Sequence, residues 1–453
     1  MCGKWQYGTR EARFTALLRH VTLERLLLAC QDISPEAAPG AGGVRREACG
    51  QDLVADLRDL RERVQQGRYR ASPGRRAYIP EAGGRLRPPG VSALEDKIVQ
   101  RAAAGVLNAV YEAGFPGFSC GFRPGRGPHQ ALDALVAGIC RKKVNWVLDA
   151  DIRDFSGQLD RGWLEKFLRH RIADERVLRL IGKWLAAGVI EDGARAESGK
   201  GSPRGAPASP LPANVYLHYV LDLRAGWRRR RHAHGDVVAI VRFADDFITG
   251  FGHEDDADRF PGELRGRSAE SGLELHPGKT RLIESGRHAA RHRKARGPGK
   301  PETSGFPGFT HICATSGSGR SWIKRITVPE RMRAKLKQVK DQLTQRMHLP
   351  VPEQGRWLAS VVRGHMAYYA VHGNIQAVAA FRDQVTRHWR RTLRRRSQKT
   401  RINRDRMTRI RTRWLPRARV MHPYPEVRFA ATHPRQEPSA VIPHAGICAG
   451  GRP

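Results

Sequence analysis

Two adjacent aspartates, Asp245 and Asp246, interrupt an otherwise apolar stretch, VRFADDFITG, over residues 241–250. Neighbouring carboxylates repel each other and burial raises their pKa values, so the fold has to supply either solvent or a compensating cation. The flanking segments DVVAIVRF and FITGF have the composition of β-strands, which places the dipeptide at a hairpin turn. The stretch therefore predicts a sheet edge at which negative charge is concentrated.

A second acidic pair in the same chain shows what an ordinary Asp-Asp looks like. Asp255 and Asp256, in GHEDDADRF, stand among polar residues at the start of a predicted helix. Acids in that position complement the helix dipole, so this pair needs no further role. The pair in VRFADD has no such explanation, because strands flank it on both sides.

A third acid, Asp151, ends another apolar strand, NWVLDADI, over residues 145–152. If the two strands are neighbours in one sheet, Asp151, Asp245 and Asp246 converge at its rim. Such a cluster binds divalent metal, and Mg²⁺ prefers carboxylate oxygens. Two ions about 4 Å apart would activate a primer hydroxyl and stabilise a leaving pyrophosphate. The residues alone leave one alternative open, a turn beside a separate structural acid.

The charge balance indicates a polyanionic partner. The 453 residues include 81 Lys and Arg against 44 Asp and Glu, a formal net charge of +37. The excess is uneven: residues 381–420 hold 16 basic residues and two acids. Nucleic acid is the polyanion that such a distribution favours. The alternative is a generally basic protein from an Arg-rich proteome.

Cysteine usage and hydropathy bear on the compartment. The seven cysteines are scattered without a CxxC pair, which argues against a zinc ribbon and against a disulfide framework. A reducing, cytoplasmic setting is then the default. No apolar run approaches the roughly 18 residues of a membrane span, so no membrane partner is expected.

Hydrophobic periodicity divides the chain into a mixed part and a helical part. Residues 71–90 predict a short hairpin, and Ser92 with Glu95 predicts a capping box at the start of a helix. Asp160 is expected to cap the next amphipathic helix. Past residue 325 the apolar spacing becomes helical, and the tail from about 415 is expected to pack poorly.

The ordered set of motifs DADI, SPRGAPASPLPANVYLH, VRFADD, LHPGKT and FPGFTHI resembles the reverse transcriptases encoded by bacterial group II introns. The resemblance includes GFRPGRGPHQALDAL and the basic C-terminal section. It implies an α+β right-hand polymerase fold, with fingers and palm built on antiparallel sheet and an all-helical thumb. The implied division is an N-terminal helical extension over 1–70, fingers and palm over 71–325, a thumb and maturase region over 326–415, and a basic tail over 416–453. No HNH endonuclease domain is expected.

The resemblance also assigns roles to residues. It places Asp151, Asp245 and Asp246 on the family's catalytic, metal-binding carboxylates, with Mg²⁺ as the cofactor and Mn²⁺ as a substitute. Contacts with the incoming nucleotide are expected from Arg87, Ser156, Arg204, Asn214, Phe243 and Lys279. Contacts with RNA are expected from Arg123, Arg126, Arg390, Arg391, Arg394, Arg395 and Arg396.

The function implied is an RNA-directed DNA polymerase that binds its group II intron RNA, assists splicing and copies that RNA. Its partners would be the intron RNA, a DNA target or primer and deoxynucleoside triphosphates, and a homodimer stays open. Two alternatives stay open as well. One is an RNA-binding splicing factor with impaired catalysis, and the other is a reverse transcriptase of a CRISPR array or a diversity-generating element.

Several positions depart from the family's pattern. Phe243 replaces the usual Tyr, which keeps the ring and loses a hydroxyl. Ser156 replaces an aromatic residue, Arg204 replaces a Gln and Glu81 replaces a Lys. Pro261, followed by Gly262, is expected to break or kink a helix, because an interior Pro costs ~3 kcal/mol. Glu81, Arg204, Ser156 and Pro261 together suggest an impaired copy.

Overall fold

The computed structural model describes residues 12–46, 52–80, 86–141, 144–191, 194–196, 205–226, 239–286, 288–297, 302–315, 321–396 and 402–425. Glu81, Arg204 and the chain beyond 425 lie outside these residues. Within them, helices and mainly antiparallel sheets alternate up to residue 327, and helices alone follow. The mixed α and β composition confirms the predicted fold class.

Helices form the N-terminal half around one large apolar core. Their bounds are α1 Leu23–Gln31, α2 Leu53–Gln65, α3 Leu94–Tyr111, α4 Pro128–Arg141, α5 Phe155–Gln158, α6 Arg161–Arg169, α7 Glu175–Ala186 and α8 Pro210–Leu217. A π-helix, His218–Asp222, continues directly from α8. The side chain of Asp160 accepts the amide of Trp163 at 2.8 Å, so the predicted cap of α6 is confirmed.

Short strands form two small sheets near the N-terminal half. Their bounds are β1 Gly74–Arg76, β2 Ile79–Pro80, β3 Leu86–Arg87 and β4 Gly90–Val91, followed after the central strand β5 Trp146–Ala150 by β6 Val189–Glu191 and β7 Ala194–Ala196. The order of the first sheet is β4-β1-β6-β7, and β2 pairs with β3. The hairpin predicted over residues 71–90 is therefore present as paired short strands.

The central sheet carries the acidic residues. Its remaining strands are β8 Ala239–Phe243, β9 Asp246–Phe251 and β10 Arg281–Glu284, and the order is β10-β5-β9-β8 with every neighbour antiparallel. Helix α4 packs against β8, and helix α9, Glu254–Glu270, packs against β5 and β9. Alternation along β9 sends Phe247 and Phe251 into one core and Ile248 into the other.

The rest of the chain adds a three-stranded sheet and the helical C-terminal part. The elements are α10 Ala289–Arg296, β11 Thr303–Phe306, β12 Phe309–Thr315, β13 Ser321–Thr327, α11 Pro329–Gln345, α12 Val351–Tyr369, α13 Ile375–Arg395 and α14 Arg404–Trp414. Helices α11 to α14 share an apolar core of their own, in which Phe381, Val385 and Trp389 are fully buried. The predicted helical periodicity after residue 325 is confirmed, whereas the domain boundary at that residue stays a prediction.

Two local predictions are wrong. Helix α3 begins at Leu94 with no side-chain cap, because Ser92 is buried before the helix starts and Glu95 pairs with Arg63 at 2.9 Å. Helix α9 runs unbroken through Pro261. Pro261 and its neighbour Phe260 are buried, and the Phe260 ring packs against Phe251 at 5.4 Å, so apolar packing offsets the lost backbone hydrogen bond.

Among the described residues, no helix is long and apolar enough to cross a membrane.

Candidate active site

The Asp245–Asp246 pair lies where two central strands meet in a hairpin. Strands β8 and β9 end on the pair Phe243 and Asp246, which leaves Ala244 and Asp245 as a two-residue turn. Ala244 has φ of +59°, the left-handed conformation that short hairpin turns require and that a non-glycine residue adopts at a cost. The predicted hairpin is confirmed, and its turn projects the acids from the sheet.

The third acid is brought to the same place by strand pairing. Strand β5 runs antiparallel to β9 with Ala150 opposite Phe247, so the next residue, Asp151, lies beside Asp246. Directly opposed residues share a face of a sheet. Asp149, two residues earlier on β5, points to that same face. The convergence that the sequence predicted therefore includes one more acid than expected.

The closeness of these carboxylates changes their acidity. Burial raises the pKa of Asp246 to about 7, and the charges of Asp245, Asp151 and Asp149 act in the same direction. Burial also raises the pKa of Asp149 to about 6, although the Gly305 amide, which donates to it at 3.0 Å, opposes that shift. The surroundings of Asp149 and Asp246 therefore disfavour the ionised form of both carboxyl groups.

A lysine supplies part of the missing positive charge. The Lys279 ammonium lies 2.5 Å from a carboxylate oxygen of Asp151, and its charge also lowers the pKa of Asp246. The loop that carries Lys279 is held by the His276 amide, which donates to the Asp151 carbonyl at 2.8 Å. The sequence predicted that solvent or a cation would compensate the acids. In this structure Lys279 is such a cation.

The donor set fits a divalent cation by its chemistry, since Asp151, Asp245 and Asp246 offer only carboxylate oxygens. In the part of the chain that the structure describes, however, no three acidic, His or Cys side chains surround a common point as metal ligands. One of these carboxylates, that of Asp151, is paired with the Lys279 ammonium. A metal at this site would compete with Lys279 for Asp151.

The remaining nucleotide-site predictions fall in three different environments. Ser156 lies half-buried at the start of α5, and Phe243 is half-buried with its ring centroid 6.4 Å from that of Phe122. The backbone of Arg87 lies on β3, opposite Ile79. Asn214 is only 2% exposed and uses both ends of its amide inside the protein, which indicates a structural contact at that position.

The two arginines of the GFRPGRG segment differ. Arg123 directs all five N–H groups to protein oxygens: Glu112 accepts two and the carbonyls of Phe115, Pro116 and Ser119 accept the others. Its side chain is 3% exposed, so it has no donor left for a phosphate, and the expectation that it contacts RNA is corrected on that ground. Arg126 is half-buried and donates to the Gly117 carbonyl at 3.3 Å.

The five arginines predicted to contact RNA in the helical part all belong to the end of α13. Arg391, Arg394 and Arg395 are exposed, while Arg390 and Arg396 are half-buried. Arg396 donates to the His348 carbonyl at 3.2 Å. The exposed three present a row of cations at one end of the helix, above the buried Trp389.

Two residues of the site have signals that could have revealed them. Asp149 stands two positions before Asp151, and that spacing in a strand puts both acids on one face. Arg242 lies inside the apolar run VVAIVRF and is completely buried. A charged residue in the middle of a buried strand needs an ion-pair or hydrogen-bond partner, so this position in the sequence already indicates a buried ion pair.

Comparison with known proteins identifies the family. Residues 79–311 match the reverse transcriptase (RNA-dependent DNA polymerase) family. This match spans more than half of the chain, and the chain belongs to that family. The family carries the right-hand polymerase fold, which agrees with the antiparallel central sheet and confirms the predicted architecture class.

Individual relatives include proteins encoded within introns. Protein YkfC of Escherichia coli (strain K12) is 32% identical over 221 residues, which cover 47% of this chain and 58% of the relative. The group II intron-encoded protein LtrA of Lactococcus lactis subsp. cremoris is 28% identical over 222 residues, which cover 48% of this chain and 37% of the relative. The "Putative COX1/OXI3 intron 2 protein" of Saccharomyces cerevisiae is 29% identical over 169 residues, 36% of this chain and 19% of the relative. The matched segment thus spans about half or less of these relatives.

Proposed function

We propose that this protein is an RNA-directed DNA polymerase of the group II intron type, which also binds its intron RNA and assists splicing. The observation that carries the proposal is the position of Asp151 beside the Asp245–Asp246 turn, in a protein of the reverse transcriptase family. Several carboxylates forced together at a sheet edge are unfavourable unless cations neutralise them. Nucleotidyl transfer with Mg²⁺ is the chemistry that makes use of such a cluster.

In this proposal Asp151, Asp245 and Asp246 would hold divalent metal, Mg²⁺ or Mn²⁺ as a substitute, which would supply positive charge to the transferred phosphate. Asp246, whose pKa is raised to about 7, would gain most from a nearby cation. Lys279 is proposed to offer its ammonium to the triphosphate of the incoming nucleotide. Phe243, Ser156 and Arg87 are proposed to border the same nucleotide.

The helical part is proposed to hold RNA. Arg391, Arg394 and Arg395 are exposed at one end of a helix whose other face is buried, so their charges are available to phosphate. The protein is proposed to be nucleic-acid-associated and cytoplasmic.

Primer extension on an RNA template tests the proposal. The wild-type protein, supplied with Mg²⁺ and deoxynucleoside triphosphates, is expected to extend the primer, and Asp245→Ala is expected to lower the rate by at least about 100-fold. Asp255→Ala is the matched control, because Asp255 is the exposed member of the other Asp-Asp pair, at the start of α9. Equal rates for the two variants would contradict the proposal.

One observation favours a second candidate, an RNA-binding splicing factor without efficient polymerisation. The contact between Lys279 and Asp151 occupies an acid that the polymerase needs for metal. Salt-dependent binding of intron RNA without Asp245-dependent extension would select this candidate.

A further inference from the structure

The central sheet contains a buried charge that the proposed chemistry does not use. Arg242, the fourth residue of β8, has no exposed surface. Moving a guanidinium out of water is costly unless ion pairing and hydrogen bonds replace the lost solvation. Such a residue in a catalytic strand therefore requires an explanation from its contacts.

Arg242 makes five hydrogen bonds with its five N–H groups. Two go to Asp222 as a bidentate pair, at 2.8 Å and 2.7 Å. Ser119 accepts a third at 2.7 Å, and the side-chain oxygen of Asn214 accepts a fourth at 3.0 Å. The fifth goes to the carbonyl of Ala244 at 3.0 Å. Four bonds anchor the guanidinium in the core, and one reaches the turn that carries Asp245.

The carboxylate that anchors Arg242 is ionised. Burial on its own raises the pKa of the Asp222 carboxyl, but the charge and hydrogen bonds of Arg242, together with the neighbouring His218, outweigh burial, so that the net pKa is below the ordinary value. Asp222 ends the π-helix, whereas Ser119 lies in the loop before α4 and Asn214 lies in α8. The guanidinium therefore joins two segments, the loop before α4 and the continuous helical stretch of α8 and the π-helix, to the catalytic hairpin.

The turn is held from its other side by the backbone. The segment 118–121 runs alongside β8, with the Cys120 amide donating to the Arg242 carbonyl and the Arg242 amide donating to the Phe118 carbonyl, both at 2.9 Å. A Cβ placed on Gly121 would lie 2.1 Å from the Ala244 nitrogen, so the two backbones are in direct contact. Asn214 completes this clamp by donating to the Gly121 carbonyl at 2.8 Å.

We propose that Arg242 is a positioning residue for the catalytic turn: through its bond to the Ala244 carbonyl, it holds Asp245 and Asp246 in place against the repulsion of their carboxylates. The left-handed conformation of Ala244 is strained for a residue with a side chain, so the turn needs such an outside contact to persist. This role rests on the proposed polymerase function, since it concerns the same acids. It differs from that function in predicting order at the turn whether or not nucleotides are copied.

Arg242→Lys tests the role, because lysine keeps the charge beside Asp222 and cannot bond Asp222, Asn214 and Ala244 together. The matched control is Arg325→Lys. Arg325 is 1% exposed and pairs with buried Asp133 at 3.1 Å, on β13 and away from the turn. Each variant replaces a buried, ion-paired arginine with lysine, but only the first changes a side chain that is bonded to the turn.

Two measurements are made at a temperature at which circular dichroism shows both variants folded. Hydrogen exchange of the peptide covering 239–250 is expected to accelerate about tenfold in Arg242→Lys and to stay at the wild-type rate in Arg325→Lys. The kcat of primer extension is expected to fall about 100-fold in Arg242→Lys, while the KM for nucleotide changes little, since misplacement of reacting groups acts on the chemical step. A purely structural arginine would give the two variants the same exchange at the turn and the same kcat, and that result overturns the proposal.

Ser119→Ala keeps the test decisive if Arg242→Lys does not fold. It removes one hydrogen bond from the guanidinium and leaves the ion pair intact, so a smaller acceleration of exchange, confined to the turn, is expected. Unchanged exchange in this variant counts against the proposal. If the wild-type protein shows no Asp245-dependent extension, the polymerase proposal fails on its own, and the exchange measurements still decide the role of Arg242.

Discussion

The central sheet and the helical C-terminal part both concentrate like charges, but they do so in opposite ways. At the sheet edge, Asp149, Asp151 and Asp246 lie on paired strands that cannot move apart, and burial and mutual repulsion raise the pKa values of Asp149 and Asp246. On α13, Arg391 and Arg394 stand in solvent above an apolar core. Water screens charges of the second kind far more than those of the first.

This difference in burial indicates which kind of function each region can support. A catalytic site needs a fixed geometry and a strong local field, so its charges are placed on strands and held by contacts such as that between Arg242 and Ala244. A surface that follows a phosphate backbone needs the number of charges more than their exact positions. Substitutions in the two regions should therefore differ in their dependence on pH, salt and geometry.

The largest effect is expected from Asp246→Asn in the metal-free protein. Because the pKa of Asp246 is raised to about 7, the folded state holds the proton more tightly than the unfolded state. Its stability penalty is therefore absent below about pH 4, grows between pH 4 and 7, and is complete above pH 7. A shift of about three units corresponds to at most about 4 kcal/mol. Chemical denaturation at pH 8 should show that the Asp246→Asn substitution raises the free energy of unfolding.

The same comparison at pH 4 is the internal control, because there the wild-type carboxyl is protonated and the advantage of the variant should vanish. Millimolar Mg²⁺ at pH 8 should also reduce the advantage, since a bound cation stabilises the charged carboxylate. An advantage that is equal at both pH values would mean that Asp246 is not under electrostatic stress. The contrast between the two regions would then lose its basis.

The second effect concerns geometry at the sheet edge. Gly121→Ala would place a methyl group 2.1 Å from the Ala244 nitrogen. The atoms that it would meet are backbone atoms of Phe243 and Ala244, which cannot move aside as a flexible side chain can. The catalytic turn has to shift, so primer extension is expected to fall about 100-fold. The measurement is the initial rate of extension at saturating nucleotide.

Gly266→Ala controls for the change itself. Gly266 is exposed in the interior of helix α9, and a Cβ there meets nothing within 4 Å. Alanine in a helix interior is more favourable than glycine by roughly 0.5–1 kcal/mol. This variant is expected to keep full activity and to unfold at a slightly higher temperature; a loss of activity like that of Gly121→Ala would show that the turn is not specifically sensitive.

The third effect belongs to the helical part. Replacing Arg391, Arg394 and Arg395 with Gln should lower the affinity for single-stranded RNA roughly tenfold and make the slope of log K against log salt less steep by about 2, since each lost phosphate contact removes about 0.7. Filter binding at several salt concentrations measures both quantities. The exposed positions of the three side chains mean that stability should change little.

A control with the same loss of net charge uses three exposed arginines on other helices, Arg58, Arg179 and Arg265. If RNA responds only to the total charge of the protein, this triple variant will weaken binding as much as the first. If the end of α13 contacts RNA directly, the control will keep most of the affinity and the original salt slope.

The sequence predicts the architecture here better than the individual contacts. Alternation and apolar spacing identified the hairpin and the strand before Asp151, because a pattern along one strand is enough to define a strand. Whether a charged side chain faces solvent or the core depends on how the surrounding chain folds, and periodicity does not show this for a loop. Arg123 and Arg391 look equally basic in the sequence, yet the fold of the segment 112–123 brings Glu112 and three carbonyls around Arg123.

Pro261 is a second position at which the sequence alone does not show the effect of tertiary packing. Helix propensity alone predicts a break at this position, and propensity is a weak determinant compared with the burial of a large side chain. The neighbour Phe260 packs in the large N-terminal core, and the helix continues. One of the four departures that suggested an impaired copy is thus accommodated by the fold.

The smallest effect lies in the helical core and has the opposite sign to that of Asp246. His365 is 6% exposed and its ring stacks on Phe381 at 3.7 Å. Burial, with a contribution from Lys335, lowers its pKa to about 4. The unfolded state therefore binds a proton first as pH falls below about 6.5, and stability is lost progressively down to about pH 4.

His365→Leu removes this pH dependence of stability, because leucine fills a similar space and does not titrate. Between pH 7 and 5.5 the wild-type protein should lose about 1 kcal/mol that the variant keeps, measured by denaturant unfolding of the helical part followed by tryptophan fluorescence. His348→Leu, at an exposed position between α11 and α12, is the control and should retain the wild-type dependence. A fall in pH would then destabilise the helical core, while a rise in pH from about 4 to 7 destabilises the metal-free sheet edge, because burial disfavours both the imidazolium of His365 and the carboxylate of Asp246.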